Sequence, residues 1–213
     1  MTRFRLICRL ALPVITLAMF PVLSQAQPSS ATGKAIFSGN ANAKSCTFAF
    51  EWREGLIVLP VRINGSKPLS FVLDTGSTRI LIDRKLAAEL GLKAGGTGSM
   101  QGAGAGSIPI EFIHDVDLAL PGVESGGYDL STADLQPLEK ISGGKVDGII
   151  GFPFLSRFVV TVDYDAKQMT LALPEAFHPS STAQVLPIEL REKWPFVKGE
   201  LVLPGPVTVQ DSF

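Results

Sequence analysis

A regular alternation of apolar and other residues begins at Leu56, and it is the feature that most constrains how this chain can fold. A period of two is the spacing of a β-strand with one buried face. Asn64-Gly65 then supplies residues that accept the positive φ angles of a tight hairpin turn, and apolar residues resume from Leu69 to Leu73. The pattern predicts two antiparallel strands that lead the chain to Asp74. The alternating residues of the first strand are Ile57, Leu59, Val61 and Ile63.

The glycine and proline content extends this prediction to the rest of the chain. The 213 residues include 21 glycines and 15 prolines, and 46% of the residues are hydrophobic. Frequent turn residues, with enough apolar residues for a core, favour many short strands over long helices. We therefore expect an all-β fold with one short helix, which Asp83 caps and Gly91 ends, and which carries Leu86 and Leu90 on one face.

Strand-like segments continue beyond this helix. Residues 95–107 contain six glycines, which predicts a mobile loop or a hairpin tip between two strands. Residues 146–155 are expected to form an apolar strand that enters Gly151 and leaves as a short helical turn. Further strands are expected within 108–120, 158–164 and 169–173.

The first 26 residues have the pattern of a secretory signal peptide. Three arginines precede an apolar stretch from Leu10 to Leu23, and Ser24-Gln25-Ala26 offers small residues for cleavage. The alternative is a membrane anchor, but Pro13 and Pro21 interrupt a stretch that is short for a bilayer span of about 20 residues. We expect export to the periplasm or the extracellular space, with residues 27–46 as a flexible leader before the domain.

Charge and cysteine content exclude several classes of partner. The chain has 19 basic and 20 acidic residues, so loss of the three signal arginines leaves 16 basic residues and a formal charge of −4. This charge gives no attraction to nucleic acid or, after signal cleavage, to an anionic membrane. Cys8 leaves with the signal and Cys46 remains alone, which excludes an intrachain disulfide and a zinc site built from cysteines.

The segment Asp74-Thr75-Gly76-Ser77 is the strongest candidate for chemistry. It lies between the apolar runs Phe71-Val72-Leu73 and Ile80-Leu81-Ile82, and a third apolar run, Ile149-Ile150-Gly151, follows downstream. Asp and Gly are favoured in any turn, so the motif alone is equally compatible with a solvated surface turn. The apolar runs around it favour a carboxylate held in a tight turn of a packed domain.

These three runs and the glycine-rich segment between them resemble the retropepsin-like aspartic proteases, especially the exported bacterial aspartyl proteases, over residues 55–173. The resemblance implies a pepsin-lobe type of closed β-barrel or sandwich, with one short helix after the catalytic loop. It implies that Asp74 is the catalytic carboxylate, that Thr75 and Gly76 form its turn, and that Ser77 supports its outer oxygen. Residues 95–107 fall where the family has its flap, and Ile149-Ile150-Gly151 is expected to form a strand beside the catalytic loop, as in the family.

The flap tip implied by this resemblance is Gly102, Ala103 and Gly104. The family often has an aromatic residue at this tip, and residues 95–107 contain none. The way in which a substrate is covered, and the specificity that results, are therefore not predicted by the resemblance.

The chemistry implied by the family is hydrolysis of a peptide or protein substrate by a water held between two aspartates that share one proton. It needs no metal and no organic cofactor. This chain has one Asp-Thr-Gly sequence, so the second carboxylate is expected from a second lobe or from a homodimer partner. The alternative function is an exported module of the same fold that binds an extended peptide without cutting it.

The sequence predicts a lobe at 47–173, a linker at 174–184 and the start of a second lobe at 185–213. The last segment repeats the pattern of the catalytic hairpin, with strands on either side of Pro204-Gly205 and an end just before a second Asp-Thr-Gly would be due. The expectation is a two-lobe protein cut short. Its rival is a homodimer, in which the last segment forms part of the interface or completes the sheet.

For the other residues that could carry chemistry, the sequence predicts ordinary positions at the surface, at strand ends or in turns. His114 and His178 lack the Gly-x-Ser-x-Gly elbow of a serine hydrolase and are expected at the surface or at strand ends. Asp147 precedes Gly148 without a following Thr-Gly and is interpreted as a turn residue. Asp163 and Asp165 are expected at a hairpin turn.

Overall fold

The computed structural model describes residues 34–39, 42–101, 106–202 and 208–212. The chain divides into two compact units. The main unit is Ser29–Ser181, and the second unit, here called the C-terminal unit, contains the described residues from Thr182 onward. Among the described residues, no helix is long and apolar enough to cross a bilayer.

The main unit is built almost entirely of strands, which confirms the all-β prediction. Three short helices accompany the strands: α1 (Arg84–Glu89), α2 (Gln136–Ser142) and α3 (Phe152–Leu155). The strands are β1 (Ile36–Phe37), β2 (Ser45–Ala49), β3 (Glu51–Arg53), β4 (Leu56–Ile63), β5 (Leu69–Leu73), β6 (Ile80–Asp83), β7 (Gly96–Gln101), β8 (Ser107–Leu120), β9 (Val123–Ala133), β10 (Gly148–Ile150), β11 (Val159–Asp163) and β12 (Gln168–Ala172).

The hairpin predicted from the alternation is present as β4 and β5. The two strands pair antiparallel, with Val61 opposite Leu69. Asn64 and Gly65 have φ angles of 46° and 75°, as a tight hairpin turn requires, and the Ser66 amide donates to the Ile63 carbonyl at 2.8 Å. The alternating residues of β4 are all buried, as the period of two in the sequence predicts, and Val58 between them is buried as well.

Strand β10 occupies the centre of a nine-stranded sheet, between the two strands that flank the Asp74 turn. It pairs parallel to β5 and antiparallel to β6. The order of the main path is β1-β9-β6-β10-β5-β4-β8-β7, and β9 also pairs with β8. The pairings form a closed circuit: β9 pairs with β6, β6 with β10, β10 with β5, β5 with β4, β4 with β8, and β8 with β9. Every strand of this circuit therefore has at least two paired neighbours.

Two apolar clusters lie on opposite faces of these strands, because adjacent residues of a strand point to opposite sides. The first cluster contains Phe71 and Ile80 among many others. The second cluster is smaller and has partly buried residues at its edge. Its buried members are Val58, Val72, Leu81, Ala133, Leu135 and Val146, and its partly buried members are Leu56, Met100, Leu138 and Ile149.

Helix α1 confirms the predicted capping. The Asp83 carboxylate accepts the amide protons of Lys85 and Leu86 at 3.0 and 3.2 Å, and the Leu86 side chain is buried. Gly91 follows the helix with a φ of 68°, the left-handed conformation that ends helices at glycine.

The structure differs from the sequence expectations in three elements. Part of the predicted leader 27–46 is strand, because β1 pairs with β9 and the first residues of β2 pair with β12. Residues 107–120 form one long strand, β8, whose first part pairs with β7 and whose later residues pair with β9, with bulges in the register between β8 and β9. Helix α2 was not expected, although Pro137 near its start and Gly143 at its end are typical of a helix.

A second, three-stranded sheet is formed by β11, β12 and β2. Cys46 lies on β2 opposite Leu171 and is a free, half-buried thiol whose pKa is raised by burial. The turn between β11 and β12 contains Asp163 and Asp165, as expected, and the Asp163 carboxylate accepts the Ala166 amide proton at 2.8 Å.

The described residues of the C-terminal unit form two antiparallel hairpins. The first pairs β13 (Glu189–Arg191) with β14 (Trp194–Phe196), and the second pairs β15 (Lys198–Val202) with β16 (Thr208–Ser212). The predicted Pro204-Gly205 turn lies outside the described residues. The assignment of 185–213 to a second lobe stays a prediction.

Candidate active site

The Asp74 carboxylate lies in a tight turn immediately after β5. The Ser77 amide donates to the Asp74 carbonyl at 3.1 Å, and the Gly76 amide donates to the carboxylate oxygen Oδ1 of Asp74 at 2.8 Å. This second bond is the local pattern by which an Asp side chain stabilises a turn. Asp74 and Thr75 are exposed, while Gly76 and Ser77 are half-buried.

Strand β10 and the residues after it fix this turn from one side. The Asp74 amide donates to the Ile150 carbonyl at 3.0 Å, and the Phe152 amide donates to the Ser77 carbonyl at 2.9 Å. In the register of the parallel pair, Ile150 lies opposite Leu73. The structure therefore confirms that Ile149-Ile150-Gly151 packs beside the strand that ends at Asp74.

Glycine is required at Gly151 by the closeness of the Asp74 turn. A Cβ atom at this position would lie 2.3 Å from the Ser77 carbonyl oxygen and 2.9 Å from the Arg79 carbonyl oxygen. Both neighbours are backbone atoms, so neither can move without moving the turn. The glycine in the downstream apolar run is thus explained by contact with the candidate catalytic loop.

The Ser77 side chain was expected to support the outer carboxylate oxygen of Asp74, but its hydroxyl bonds to a different residue. Its hydroxyl donates to the Arg79 carbonyl at 2.8 Å, which stabilises the exit of the turn. The hydrogen bond to the Asp74 carboxylate comes instead from the Gly76 amide. The backbone, which the sequence does not reveal, supplies the donor that the resemblance assigned to a side chain.

A β-hairpin, formed by β7 and the first part of β8, takes the place predicted for the flap. Gly98 lies against the ring of Phe112, where a Cβ atom would be 2.8 Å from the ring carbon Cζ. Arg84 of α1 donates to the Pro109 carbonyl at 2.7 Å and so joins the helix to this hairpin. The predicted tip residues Gly102, Ala103 and Gly104 lie outside the described residues.

Asp147 is buried, which corrects its interpretation as a turn residue. Its carboxylate oxygen Oδ2 accepts the Ser70 amide proton at 2.8 Å, and its own amide donates to the Ser70 carbonyl at 2.8 Å. Its carbonyl accepts the Asp83 amide proton at 2.9 Å. One residue therefore connects the start of β5 with the end of β6, just before β10 begins.

An ion pair compensates the buried charge of Asp147. The ammonium group of Lys145 lies 2.6 Å from Oδ1 of Asp147, and this contact raises the pKa of Lys145. The Lys145 carbonyl also accepts a hydrogen bond from the guanidinium group of Arg53 at 2.9 Å. Oδ1 of Asp147 thus contacts Lys145, while Oδ2 accepts the Ser70 amide proton.

Both histidines are exposed. His114 lies on β8 with Nδ1 2.9 Å from Oδ1 of Asp129, and His178 follows the last strand of the main unit. Within the ranges that the structure describes, no three or more His, Cys, Asp or Glu side chains are grouped so that they could hold a metal ion.

Comparison with known proteins gives one family match. Residues 59–154 match the family model described as aspartyl protease. Similar solved structures include a retropepsin-like aspartic protease from Rickettsia conorii, with 18% identity, coverage of 66% of this chain and 95% of that chain, and a TM-score of 0.41. The retroviral protease-like domain of Ddi1 from Leishmania major has 19% identity, coverage of 56% and 97%, and a TM-score of 0.36.

A search of curated protein sequences found no match. The family match spans the β4–β5 hairpin, the Asp74 turn, the β7–β8 hairpin, β10 and Gly151. The resemblance to aspartic proteases drawn from the sequence is thereby confirmed for residues 59–154, which match the aspartyl protease family.

Proposed function

We propose that this chain is one half of an aspartic endopeptidase, in which Asp74 is the catalytic carboxylate. The observation that carries the proposal is the combination of an exposed Asp74 with a turn held by hydrogen bonds that the backbone amides of Gly76 and Phe152 donate and the Ile150 carbonyl accepts. A reactive carboxylate needs this combination, because it must reach its substrate and keep its geometry. The family match over 59–154 supports the same role.

The proposed reaction needs a second carboxylate opposite Asp74. One carboxylate takes a proton from the bound water as the water oxygen bonds to the peptide carbonyl carbon, and the protonated partner gives its proton to the carbonyl oxygen. A proton then passes to the amide nitrogen as the carbon–nitrogen bond breaks. For this reaction the protein must supply two carboxyl groups that share one proton.

We propose that the second carboxylate comes from another lobe or from a second copy of this chain. The most obvious internal candidate, Asp147, has both carboxylate oxygens occupied by Ser70 and Lys145. A second copy would place two identical Asp74 turns at a two-fold axis. A measurement of mass in solution, made at the concentration used for activity, distinguishes a dimer from a monomer.

The decisive experiment is the substitution Asp74→Asn, assayed by cleavage of a mixed peptide pool at pH 4 to 7. We expect a loss of about 10²–10⁴-fold in kcat/KM with an unchanged circular dichroism spectrum, because the amide cannot accept the proton from water. The matched control is Asp165→Asn, the same change in the exposed β11–β12 turn. We also expect the highest activity at acidic pH, where one carboxyl of the pair holds its proton.

Full activity of Asp74→Asn would overturn the assignment of Asp74. If the unmodified protein binds extended peptides at a surface that includes Asp74 but leaves them intact, the chain is a peptide-binding module of the same fold. Peptide cleavage and peptide binding are therefore measured on the same samples.

We further propose that the protein works after export. The arginines before the apolar stretch Leu10–Leu23 and the small residues that end at Ala26 support this placement. Expression of the full sequence in a bacterial host, followed by fractionation and intact-mass measurement, should give a periplasmic form that begins at Gln27. A full-length product retained in the cytoplasm or the membrane would contradict the proposal.

A further inference from the structure

Arg79 is fixed to the Asp74 turn through its backbone. Its carbonyl accepts the hydroxyl proton of Ser77 at 2.8 Å, and its amide lies 3.4 Å from the same hydroxyl oxygen. Gly151 packs directly against this carbonyl. The Cα position of Arg79 is therefore set by the contacts that hold the candidate catalytic turn.

The side chain of Arg79 extends from the turn to the β7–β8 hairpin. Its guanidinium carbon lies 5.5 Å from the centre of the Phe112 ring, within the range of a cation–π contact. Its nitrogen Nη1 lies 3.5 Å from the hydroxyl oxygen of Ser131 on β9. The same ring lies against Gly98 of β7, so the guanidinium group lies beside the hairpin that takes the flap position.

Arg79 and Asp74 lie at the two ends of the segment between β5, which ends at Leu73, and β6, which begins at Ile80. Arg79 is two residues before Leu81, and Asp74 is two residues after Val72. Leu81 and Val72 both belong to the second apolar cluster, against which Met100 of β7 also packs. Strands β5, β6 and β7 therefore each contribute to the second apolar cluster, and the cation and the carboxylate come from the segment that joins β5 to β6.

The guanidinium group of Arg79 carries a positive charge without a carboxylate beside it in the part of the chain that the structure describes. None of the ion pairs among those residues includes Arg79, and the residue is exposed. Arg84, five residues further on, donates to a backbone carbonyl instead. Arginine stays charged at every relevant pH and binds a carboxylate through two parallel hydrogen bonds.

We propose that Arg79 is a specificity-determining residue, which selects peptides that carry an Asp or Glu side chain close to the bond held at Asp74. The proposal rests on the proposed function, because it assigns a substrate class to the same site. Phe112 and Ser131 limit the directions that the guanidinium group can take, so its charge is held beside the site before the substrate arrives. A peptide lying over the second apolar cluster would meet this charge within a few residues of Asp74.

The test uses binding, so that it does not depend on catalysis. Immobilised Asp74→Asn protein is incubated with a synthetic pool of random octapeptides, and the bound fraction is sequenced by mass spectrometry. We expect acidic residues to be enriched over their amides at one position by about three- to tenfold, the range for a partly exposed charged hydrogen bond. The enrichment should fall as salt is added.

Two variants of the Asp74→Asn protein identify the residue responsible. The added substitution Arg79→Gln should abolish the acidic enrichment, and Arg79→Glu should replace it with enrichment of Lys and Arg. Lys67→Glu is the matched control: it makes the same charge change in the turn at the other end of β5 and should leave the enrichment intact. Circular dichroism establishes that each variant is folded.

Bound peptides without acidic enrichment, or enrichment that survives Arg79→Glu, would overturn the inference while leaving the proposed function untouched. A pool from which nothing is retained would overturn it as well. Acidic enrichment in a protein that never cleaves peptides would support the role of Arg79 and refute the endopeptidase proposal. The two proposals therefore fail through different measurements.

Discussion

The substitution Gly151→Ala tests how tightly the Asp74 turn is held. The added Cβ atom would lie 2.3 Å from the Ser77 carbonyl oxygen, 2.8 Å from the Ser77 Cβ atom and 2.9 Å from the Arg79 carbonyl oxygen. Ordinary contacts of a Cβ atom begin near 3.4 Å, so the turn and α3 must separate by about 1 Å. Overpacking of this kind costs about 1–3 kcal/mol. The hydrogen bond from Phe152 to Ser77 spans the same gap, and its loss adds about 1 kcal/mol.

The expected loss of about 2–4 kcal/mol in the free energy of unfolding is measured by urea denaturation, followed by tryptophan fluorescence. With an m-value of about 2 kcal/mol per molar urea, the midpoint should fall by about 1–2 M. The matched control is Gly96→Ala, because the nearest atom to a Cβ there is 3.7 Å away and Gly96 has no positive φ. That variant should change the free energy of unfolding by less than about 1 kcal/mol.

A midpoint for Gly151→Ala equal to that of the unmodified protein, or of Gly96→Ala, would refute the close contact between Gly151 and the Asp74 turn. If the assembled protein cleaves peptides, Gly151→Ala should also lower the rate about 10²-fold, since a misplacement of about 1 Å has that effect on a reacting group. Intact activity in a destabilised variant would show that the turn recovers its geometry despite the added methyl group.

Two further predictions concern the contacts around β10. Asp83→Ala should cost about 0.5–2 kcal/mol in urea denaturation, because the side chain caps α1 through the amides of Lys85 and Leu86; an unchanged midpoint would contradict the cap. Lys145→Met should lower the free energy of unfolding at neutral pH by about 1 kcal/mol or less, since Lys145 is largely exposed and water screens its attraction to Asp147. The ion pair raises the pKa of Lys145 above its ordinary value of 10.5, so this difference should be present below pH 10.5 and vanish as the pH rises through the raised value; a difference that persists at pH 12 would contradict the pairing.

Local features of the sequence predicted the β4–β5 hairpin and helix α1 well. The alternation in β4, the Asn64-Gly65 turn and the Asp83 cap each depend on residues that are close in the chain. A local sequence pattern is therefore enough to predict each of these features. The position of β10 beside the Asp74 turn was predicted from the family resemblance. Its physical reason, the lack of room for a side chain at Gly151, became visible only in the structure.

Contacts between distant segments were not predictable from one sequence. Strand β1 exists because Phe37 pairs with Val123, a partner that no local pattern in the supposed leader reveals. The bulges of β8 and its pairing with β4, β7 and β9 depend on the positions of those strands in the sheet, and not on residues 107–120 alone. A pattern of period two predicts a strand, but it does not identify the neighbours of that strand.

Asp147 shows how such a distant contact connects the interior to the Asp74 turn. Asp-Gly is a favoured turn sequence, so the residue types alone suggest a solvated loop. In the fold, this carboxylate lies between β5 and β6 and accepts the Ser70 amide proton, and a buried charge is tolerated there because Lys145 pairs with it. Three residues later, Ile150 accepts the Asp74 amide proton. The short strand β10 is therefore held at its start by the contacts of Asp147, and its end holds the Asp74 turn. Three paired residues connect these two ends. We therefore expect a change that loosens the contacts of Asp147 to loosen the Asp74 turn as well.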